Sequence, residues 1–278
     1  MLTALLTVLA LIAFAANSIF ARLALSGPSI DPASYTAVRL LTGALTLWLV
    51  AVVRRASRTT HSKTNWTSAA LLFLYAATFS FAYVSLTTGT GALILFAAVQ
   101  ITMIGVGLYA GERPTVLHWS GLLIAIAGLV YLVFPGVTAP SSSGSLLMAT
   151  AGVAWGVYSI LGRGVTNPIN ATSGNFIRAA PLALVVLLLW SSKIAITGEG
   201  FLWAALSGSI TSAVGYVIWY AALPRMAATL AATVQLSVPA LAAFGGIVFL
   251  SERMSLRLLL SGALILSGVG LAISSQKK

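Results

Sequence analysis

Long apolar runs alternate along the chain with short stretches rich in Gly, Pro, Ser and Asn. Most runs extend over about 20 residues, which is the length an α-helix needs to cross the roughly 30 Å hydrocarbon core of a bilayer. The pattern therefore predicts an all-α integral membrane protein with ten transmembrane helices. These helices are expected at residues 2–24, 34–54, 66–86, 91–110, 115–134, 145–163, 172–190, 201–222, 227–250 and 256–275.

Proline positions agree with these bounds, because proline lacks the backbone N–H that a helix interior uses. Only Pro181 and Pro239 lie inside predicted helices. The other prolines fall in gaps or at first helical turns, where the missing N–H costs least. The first apolar run lacks the basic segment and cleavage site of a signal peptide, so we interpret it as a helix of the mature protein.

Composition supports a membrane protein: 59% of the 278 residues are hydrophobic, 7% are charged, and the mean hydropathy is +1.02. The net charge of +11 does not indicate a nucleic-acid partner, because Lys and Arg stand singly between apolar runs and form no basic face. The absence of cysteine excludes disulfides, iron–sulfur clusters and thiolate zinc sites. We expect no cofactor and no metal site, and the lipid bilayer as the surroundings.

The two halves of the sequence resemble each other. Residues 18–22 (Ser-Ile-Phe-Ala-Arg) return as residues 159–163 (Ser-Ile-Leu-Gly-Arg), and Arg39 returns as Arg178. Five helices in each half place the second half in the membrane with the opposite orientation, which predicts an inverted repeat of residues 1–139 and 140–278. Chance matches between apolar sequences are the alternative.

Loop charges predict the orientation, since Lys and Arg accumulate on the cytoplasmic side. With the N-terminus inside, nine Lys and Arg residues lie on the cytoplasmic side and four lie outside. We therefore predict that both termini are cytoplasmic.

Two related motifs carry a family resemblance. Residues 111–114 (Gly-Glu-Arg-Pro) and residues 250–253 (Leu-Ser-Glu-Arg) each precede a Ser-Gly pair in the next helix. With five plus five helices, the chain resembles the EamA-type drug/metabolite transporter superfamily over nearly its whole length. The resemblance implies a basket of helices around a central cavity that is lined by helices 1, 3, 4, 6, 8 and 9.

A narrower likeness concerns residues 88–96, which look like the YddG aromatic amino acid exporters of bacterial inner membranes. That likeness implies export of aromatic or other neutral amino acids from the bacterial cell, and it adds Phe96 to the candidate substrate contacts. Gln100 stands near the place where many relatives have proline, as the second half does at Pro239. We therefore expect helices 4 and 9 to differ from exact symmetry.

Polar residues within predicted helices are the first candidates for substrate binding, since each must find a partner or face water. Asn17, Gln100 and Gln235 carry amides, which can donate to a carboxylate or accept from an ammonium group. Gln100 and Gln235 lie near the membrane midplane by residue count. The alternative is that these amides only tie helices together.

Aromatic residues are the second set of candidates. Tyr75, Phe79 and Tyr83 recur every fourth residue and so share one face of helix 3, while Trp155 and Tyr158 lie three apart on helix 6. Aromatic walls can stack on a substrate ring and attract an ammonium group. The alternative is an interfacial belt. Helix 8 adds a third group, formed by Tyr216, Trp219 and Tyr220. A belt position is favoured for this group, and Trp219 alone is taken as a candidate.

Arg39 and Arg178 can bind a substrate carboxylate, but we favour snorkelling of both side chains towards lipid headgroups or towards a helix C-terminus. Glu112 and Glu252 are interpreted as structural, because a carboxylate is stabilised at the positive end of a helix dipole.

Several functional classes are disfavoured because the residues that they require are missing from the predicted helices. The four acidic residues lie at predicted helix ends or in loops, which argues against a proton-coupled exchanger with a buried carboxylate and against an acidic ion relay. A nucleophile with a base, or a cluster of metal ligands, is also missing, so an enzyme is not expected. We predict an exporter of amino acids that works by alternating access. An exporter of other metabolites or drugs, and a channel or scaffold without transport activity, are the alternatives.

Overall fold

The computed structural model describes residues 1–53, 66–133, 141–251 and 256–274, and within these ranges the chain is helical. The helix bounds lie within four residues of the predicted ones. In chain order the helices are α1 (Leu2–Leu25), α2 (Pro32–Val53), α3 (Trp66–Tyr83), α4 (Thr88–Tyr109), α5 (Val116–Val133), α6 (Ser142–Gly162), α7 (Pro168–Leu189), α8 (Gly198–Arg225), α9 (Ala228–Leu250) and α10 (Leu256–Ser274).

Eight of these helices are long and apolar enough to cross a membrane by length and composition, namely α1 to α4 and α6 to α9. In α5 and α10, shorter apolar stretches are found at Val116–Gly128 and Ala263–Ala272. Side chains on the outer surface are apolar, as at Leu188 and Phe249, which are 72% and 67% exposed. Polar side chains instead lie inside. This distribution suits a lipid surrounding, since exposed apolar surface of this extent is unfavourable in water.

Helices α2 and α7 begin earlier than predicted because their prolines occupy the first turn instead of the preceding gap. Pro32 follows Asp31, whose Oδ1 accepts the backbone N–H groups of Ala33 and Ser34. Pro168 follows Asn167, whose Oδ1 accepts the N–H of Asn170. A polar cap followed by proline is a favourable helix start, because the cap satisfies free N–H groups and proline has none to satisfy.

Two helices in the second half are irregular. Residues 207–214 of α8 form a π-helix, and α9 changes direction at Leu236 between Ala228–Gln235 and Ser237–Leu250. Pro239 lies three residues after the interruption and cannot donate to the carbonyl of Gln235. The corresponding helix α4 runs without a break from Thr88 to Tyr109. The asymmetry expected between helices 4 and 9 is therefore present in the structure.

The connections that the structure describes lie at two opposite ends. At the first end, which we call the Asp31 end, Asp31 Oδ2 accepts the N–H of Ala195, Arg22 donates to the carbonyl oxygen of Tyr83, and Ser85 bonds Ser141. These contacts involve the α1–α2, α3–α4 and α7–α8 connections and Ser141, the residue before α6. Consecutive helices up to α8 thus alternate in direction.

At the opposite end, which we call the Glu112 end, the carboxylate of Glu112 connects the start of α9 to the end of α6. Glu112 accepts the backbone N–H groups of Ala228 (2.7 Å) and Thr229 (3.0 Å) at the start of α9, and it lies 3.3 Å from Arg163. Burial alone would raise the pKa of Glu112, but the two backbone donors and Arg163 outweigh burial and hold the pKa below its usual value. The expected structural role is present, although the stabilised helix end belongs to α9 and not to α5.

Candidate functional site

Arg39 of α2 is buried, with 1% of its surface exposed. Snorkelling, the interpretation favoured from the sequence, is therefore wrong for this residue. The side chain turns inward because α3 and α8 offer hydroxyl groups to it. Arg178, which the sequence pattern pairs with Arg39, is half-buried, donates to the carbonyl oxygen of Gly174 and lies over the ring of Trp66.

The guanidinium of Arg39 has partners on two of its three nitrogens. Nε donates to Ser212 Oγ at 2.9 Å, and Nη2 donates to the hydroxyls of Tyr75 (3.2 Å) and Tyr216 (2.6 Å). The ring centres of Tyr75 and Phe79 lie 5.1 and 4.9 Å from the guanidinium carbon, within cation–π range. Nη1 is buried and has no hydrogen-bond partner.

Asn17 of α1 lies beside this group. Its Nδ2 donates to Tyr75 at 3.2 Å, and its Oδ1 accepts from Ser207 (2.7 Å) and Thr211 (3.1 Å). Ser207 and Thr211 both belong to the π-helix of α8. A π-helix widens the helical turn and occurs often at functional sites; here it brings Ser207, Thr211 and Ser212 to the Asn17 and Arg39 side chains.

Trp155 of α6 lies at the centre of a group of aromatic rings. Its ring is 4.6 Å from that of Tyr216, 5.1 Å from those of Tyr75 and Phe14, and 5.6 Å from that of Tyr158, centre to centre. Tyr75 and Tyr216 also bond Arg39, so the guanidinium and the indole share two neighbours. We refer to Arg39, Tyr75, Trp155 and Tyr216 as the central cluster.

Gln235 joins the central cluster to the interrupted helix α9. Its Oε1 accepts the indole N–H of Trp155 at 2.9 Å, and its Nε2 donates to Ala231 O and Met103 Sδ. Both ends of the amide are thus used within the protein, which is the helix-tying alternative weighed from the sequence.

Gln100 of α4 reaches the same helix. At the interruption Leu236 N–H bonds the carbonyl of Thr233 instead of that of Ala232, so the Ala232 carbonyl is available and accepts from Gln100 Nε2. Gln100 Oε1 is buried without a hydrogen-bond partner. Gln100 Oε1 and Arg39 Nη1 are two of the buried polar atoms without a hydrogen-bond partner, and the hydroxyl of Tyr35 on α2 is another.

All ten candidate residues predicted from the sequence are buried. Asn17, Tyr75 and Phe79 lie at the Arg39 group, while Trp155, Tyr158 and Gln235 form a continuous chain of contacts beside it. Tyr83 packs on Phe79 at 4.7 Å, and Trp219 bonds Ser159 and lies 5.6 Å from Phe14. Phe96 and Gln100 lie on the buried face of α4.

Sequence reasoning did not consider Phe14 and favoured a belt position for Tyr216. In the structure both rings contact Trp155, and Tyr216 is 1% exposed. One feature of the sequence pointed to the inward face of α2: Tyr35 lies four residues before Arg39, and this Tyr is buried too.

The central cluster offers the free donor of Arg39 and aromatic walls, and Gln100 on α4 offers a free acceptor; these groups are suited to binding a small polar molecule with an apolar part. Among the residues that the structure describes, no group of three or more His, Asp or Glu side chains is arranged to hold a metal ion.

Comparison with known proteins identifies relatives over the full chain. The sequence model of the EamA-like transporter family matches residues 1–134 and 142–274. An uncharacterized protein of Pseudomonas aeruginosa is 46% identical over 272 residues, which are 98% of this chain and 94% of that protein. The threonine/homoserine exporter RhtA of Escherichia coli is 28% identical over 186 residues, which are 63% of this chain and 60% of that protein. A solved crystal structure shares the fold with a TM-score of 0.81 at 19% identity, over 99% of both chains.

Proposed function

The chain belongs to the EamA-like transporter family, and from this premise we propose that it exports amino acids, aromatic or otherwise neutral, across the bacterial inner membrane. The observation that carries the proposal is the central cluster. Residues from both halves of the sequence meet there, Arg39 and Tyr75 from the first and Trp155 and Tyr216 from the second. Transporters with inverted repeats bind their substrates where the halves meet.

Two likenesses favour amino acids as the substrate class. The relative from Escherichia coli is a threonine/homoserine exporter, and residues 88–96 look like the YddG aromatic amino acid exporters. The rings around Trp155 are suited to a substrate side chain, since offset and edge-to-face ring contacts are favourable. Gln100 Oε1, buried without a partner, is suited to accept from the substrate ammonium group.

Gln235 has a positioning role in this proposal. Because its Oε1 bonds Trp155 and its Nε2 bonds Ala231 and Met103, the amide holds the indole in place and does not itself face the substrate. This changes the role expected from the sequence, in which both glutamines bound the head group.

The transport cycle we propose is alternating access by ten transmembrane helices in two inverted repeats, residues 1–139 and 140–278, with both termini in the cytoplasm. The contacts at the Asp31 end and those at the Glu112 end then open in turn. Asp31, Glu112 and Glu199 all lie at helix ends among the described residues. Since none of these carboxylates lies at the central cluster, we expect transport down the gradient of the substrate without a bound proton.

Export from cells tests the proposal directly. A bacterial strain that lacks its own aromatic amino acid exporters is fed a phenylalanine-containing dipeptide, which cytosolic peptidases hydrolyse. Expression of the chain should raise the initial rate of phenylalanine release, whereas the Trp155→Ala variant, expressed to the same level, should release less. Equal release with and without the protein, for phenylalanine, threonine and the other neutral amino acids, would contradict the proposed substrate class.

A further inference from the structure

Arg39 is a buried cation without a counter-ion among the described residues. The acids in those ranges are engaged elsewhere. Asp31 accepts backbone N–H groups at the start of α2, Glu112 pairs with Arg163, and Glu199 accepts from Trp203. The partners of Arg39 are instead three neutral hydroxyls and two aromatic rings.

Such an arrangement is costly for the empty protein. Removing a guanidinium from water is unfavourable unless an opposite charge or a full set of acceptors replaces the solvent. The hydroxyls of Ser212, Tyr75 and Tyr216 replace part of the lost hydration. The ring faces of Tyr75 and Phe79 add a cation–π attraction. Nη1 remains buried and unpartnered. An anion bound at Nη1 would supply both the missing hydrogen bond and the missing charge.

The geometry also indicates which anion would fit. Arg39 shares Tyr75 and Tyr216 with Trp155, so a bound anionic group would lie next to the aromatic wall. A carboxylate can accept from Nη1, the one nitrogen whose hydrogens are not used by Ser212, Tyr75 or Tyr216, and a charge-assisted hydrogen bond of this kind is strong. A compact carboxylate carried on an apolar body is therefore better suited than a large, highly charged anion.

We propose that Arg39 recognises the carboxylate of the substrate, and that the protein consequently selects molecules with a free carboxylate and rejects their amides, esters and amines. The inference deepens the proposed function, on which it rests for the identity of the substrate. It also argues against cationic drugs as substrates, since a lone buried cation repels them.

The direct test is ligand binding to the purified protein in detergent, followed by thermal unfolding or calorimetry. The probes are phenylalanine, phenylalaninamide, phenethylamine, 3-phenylpropionate and benzoate. Wild type should bind phenylalanine and 3-phenylpropionate at least tenfold more tightly than the amide and the amine, because removing the partner of a buried donor is strongly unfavourable. Arg39→Gln should lose this preference.

Two further variants complete the test. Arg178→Gln makes the same change at the repeat-related arginine, which does not belong to the central cluster, and should keep the preference for carboxylates. Arg39→Lys keeps the charge but not the planar fork, so it should keep the preference and bind carboxylates more weakly than wild type. If Arg39→Gln does not fold, the carboxylate affinities of Arg39→Lys and wild type are compared instead. Equal affinities would overturn the inference.

The remaining outcomes separate the two proposals. Carboxylate binding that needs Arg39, found without amino acid transport, would uphold the inference and defeat the proposed function. Transport of amino acids with equal acceptance of their amides, or with Arg39→Gln as active as wild type, would overturn the inference alone. Failure of wild type to bind any of the carboxylates or amino acids tested would overturn both.

Discussion

The indole N–H of Trp155 donates to Gln235 Oε1 at 2.9 Å, and this bond links α6 to α9 just before the interruption at Leu236. Residues of the helix interruption thereby position the largest ring of the central cluster. The bond pairs the indole nitrogen with the amide oxygen, and each of these buried atoms would be unsatisfied without the other. The position of the Trp155 ring therefore depends on Gln235.

This bond should show energetic coupling. Trp155→Phe removes the donor and Gln235→Leu removes the acceptor, and each is expected to cost about 1–3 kcal/mol because a buried polar atom loses its partner. The double variant should lose less than the sum of the two, since no unpaired atom remains from the bond. Thermal or denaturant unfolding in one detergent measures the cycle. Additive losses would show that the bond contributes nothing.

Gln100 is expected to act on all amino acids alike. Gln100→Met conserves much of the side-chain volume but removes the unpaired Oε1 that we assign to the ammonium group. Affinity should fall by about 1–3 kcal/mol for every amino acid substrate, aromatic or aliphatic. Competition in counterflow gives the affinities, with monodisperse elution as the check on folding. A loss confined to aromatic substrates would assign Gln100 to the side-chain wall instead.

Low pH should weaken the Glu112 end. The folded-state pKa of Glu112 is held below its usual value, so its contribution to stability is present above the unfolded-state pKa of about 4.5 and is lost as pH falls through the lower, folded-state pKa. Glu112→Gln should lower the unfolding temperature at pH 7, and the difference from wild type should shrink below pH 4.5. A difference that stays constant from pH 7 to pH 3 would contradict this assignment.

Labelling of single cysteines tests the orientation, and the natural chain contains none. Ser26 and Thr166 are exposed residues at the Asp31 end and the Glu112 end, respectively. With the termini in the cytoplasm, Ser26→Cys should react with an impermeant maleimide in intact spheroplasts, and Thr166→Cys only after permeabilisation. The reverse pattern would invert the orientation, and labelling of both from one side would contradict the alternating topology.

Most helix bounds could be predicted because the apolar runs and the prolines are local features of the sequence. The burial of Asn17, Gln100 and Gln235 also followed, since a polar side chain within a membrane helix must find a partner or face water. The position of Arg39 did not, because Ser212 and Tyr216 lie 173 and 177 residues away along the chain. Neither the π-helix of α8 nor the freed Ala232 carbonyl has a local pattern, since both depend on how α8 and α9 pack.

Counterflow in proteoliposomes is the most direct measurement of whether this protein carries amino acids through the central cluster. Vesicles loaded with unlabelled L-phenylalanine, with pH and membrane potential clamped, should accumulate labelled L-phenylalanine transiently and saturably. D-phenylalanine and phenylalaninamide should compete poorly. Trp155→Ala should change the ranking among aromatic and aliphatic amino acids, because the aromatic wall contacts the part that differs between them. Accumulation no greater than in protein-free vesicles for every neutral amino acid, or an unchanged ranking in a well-folded Trp155→Ala variant, would contradict the account.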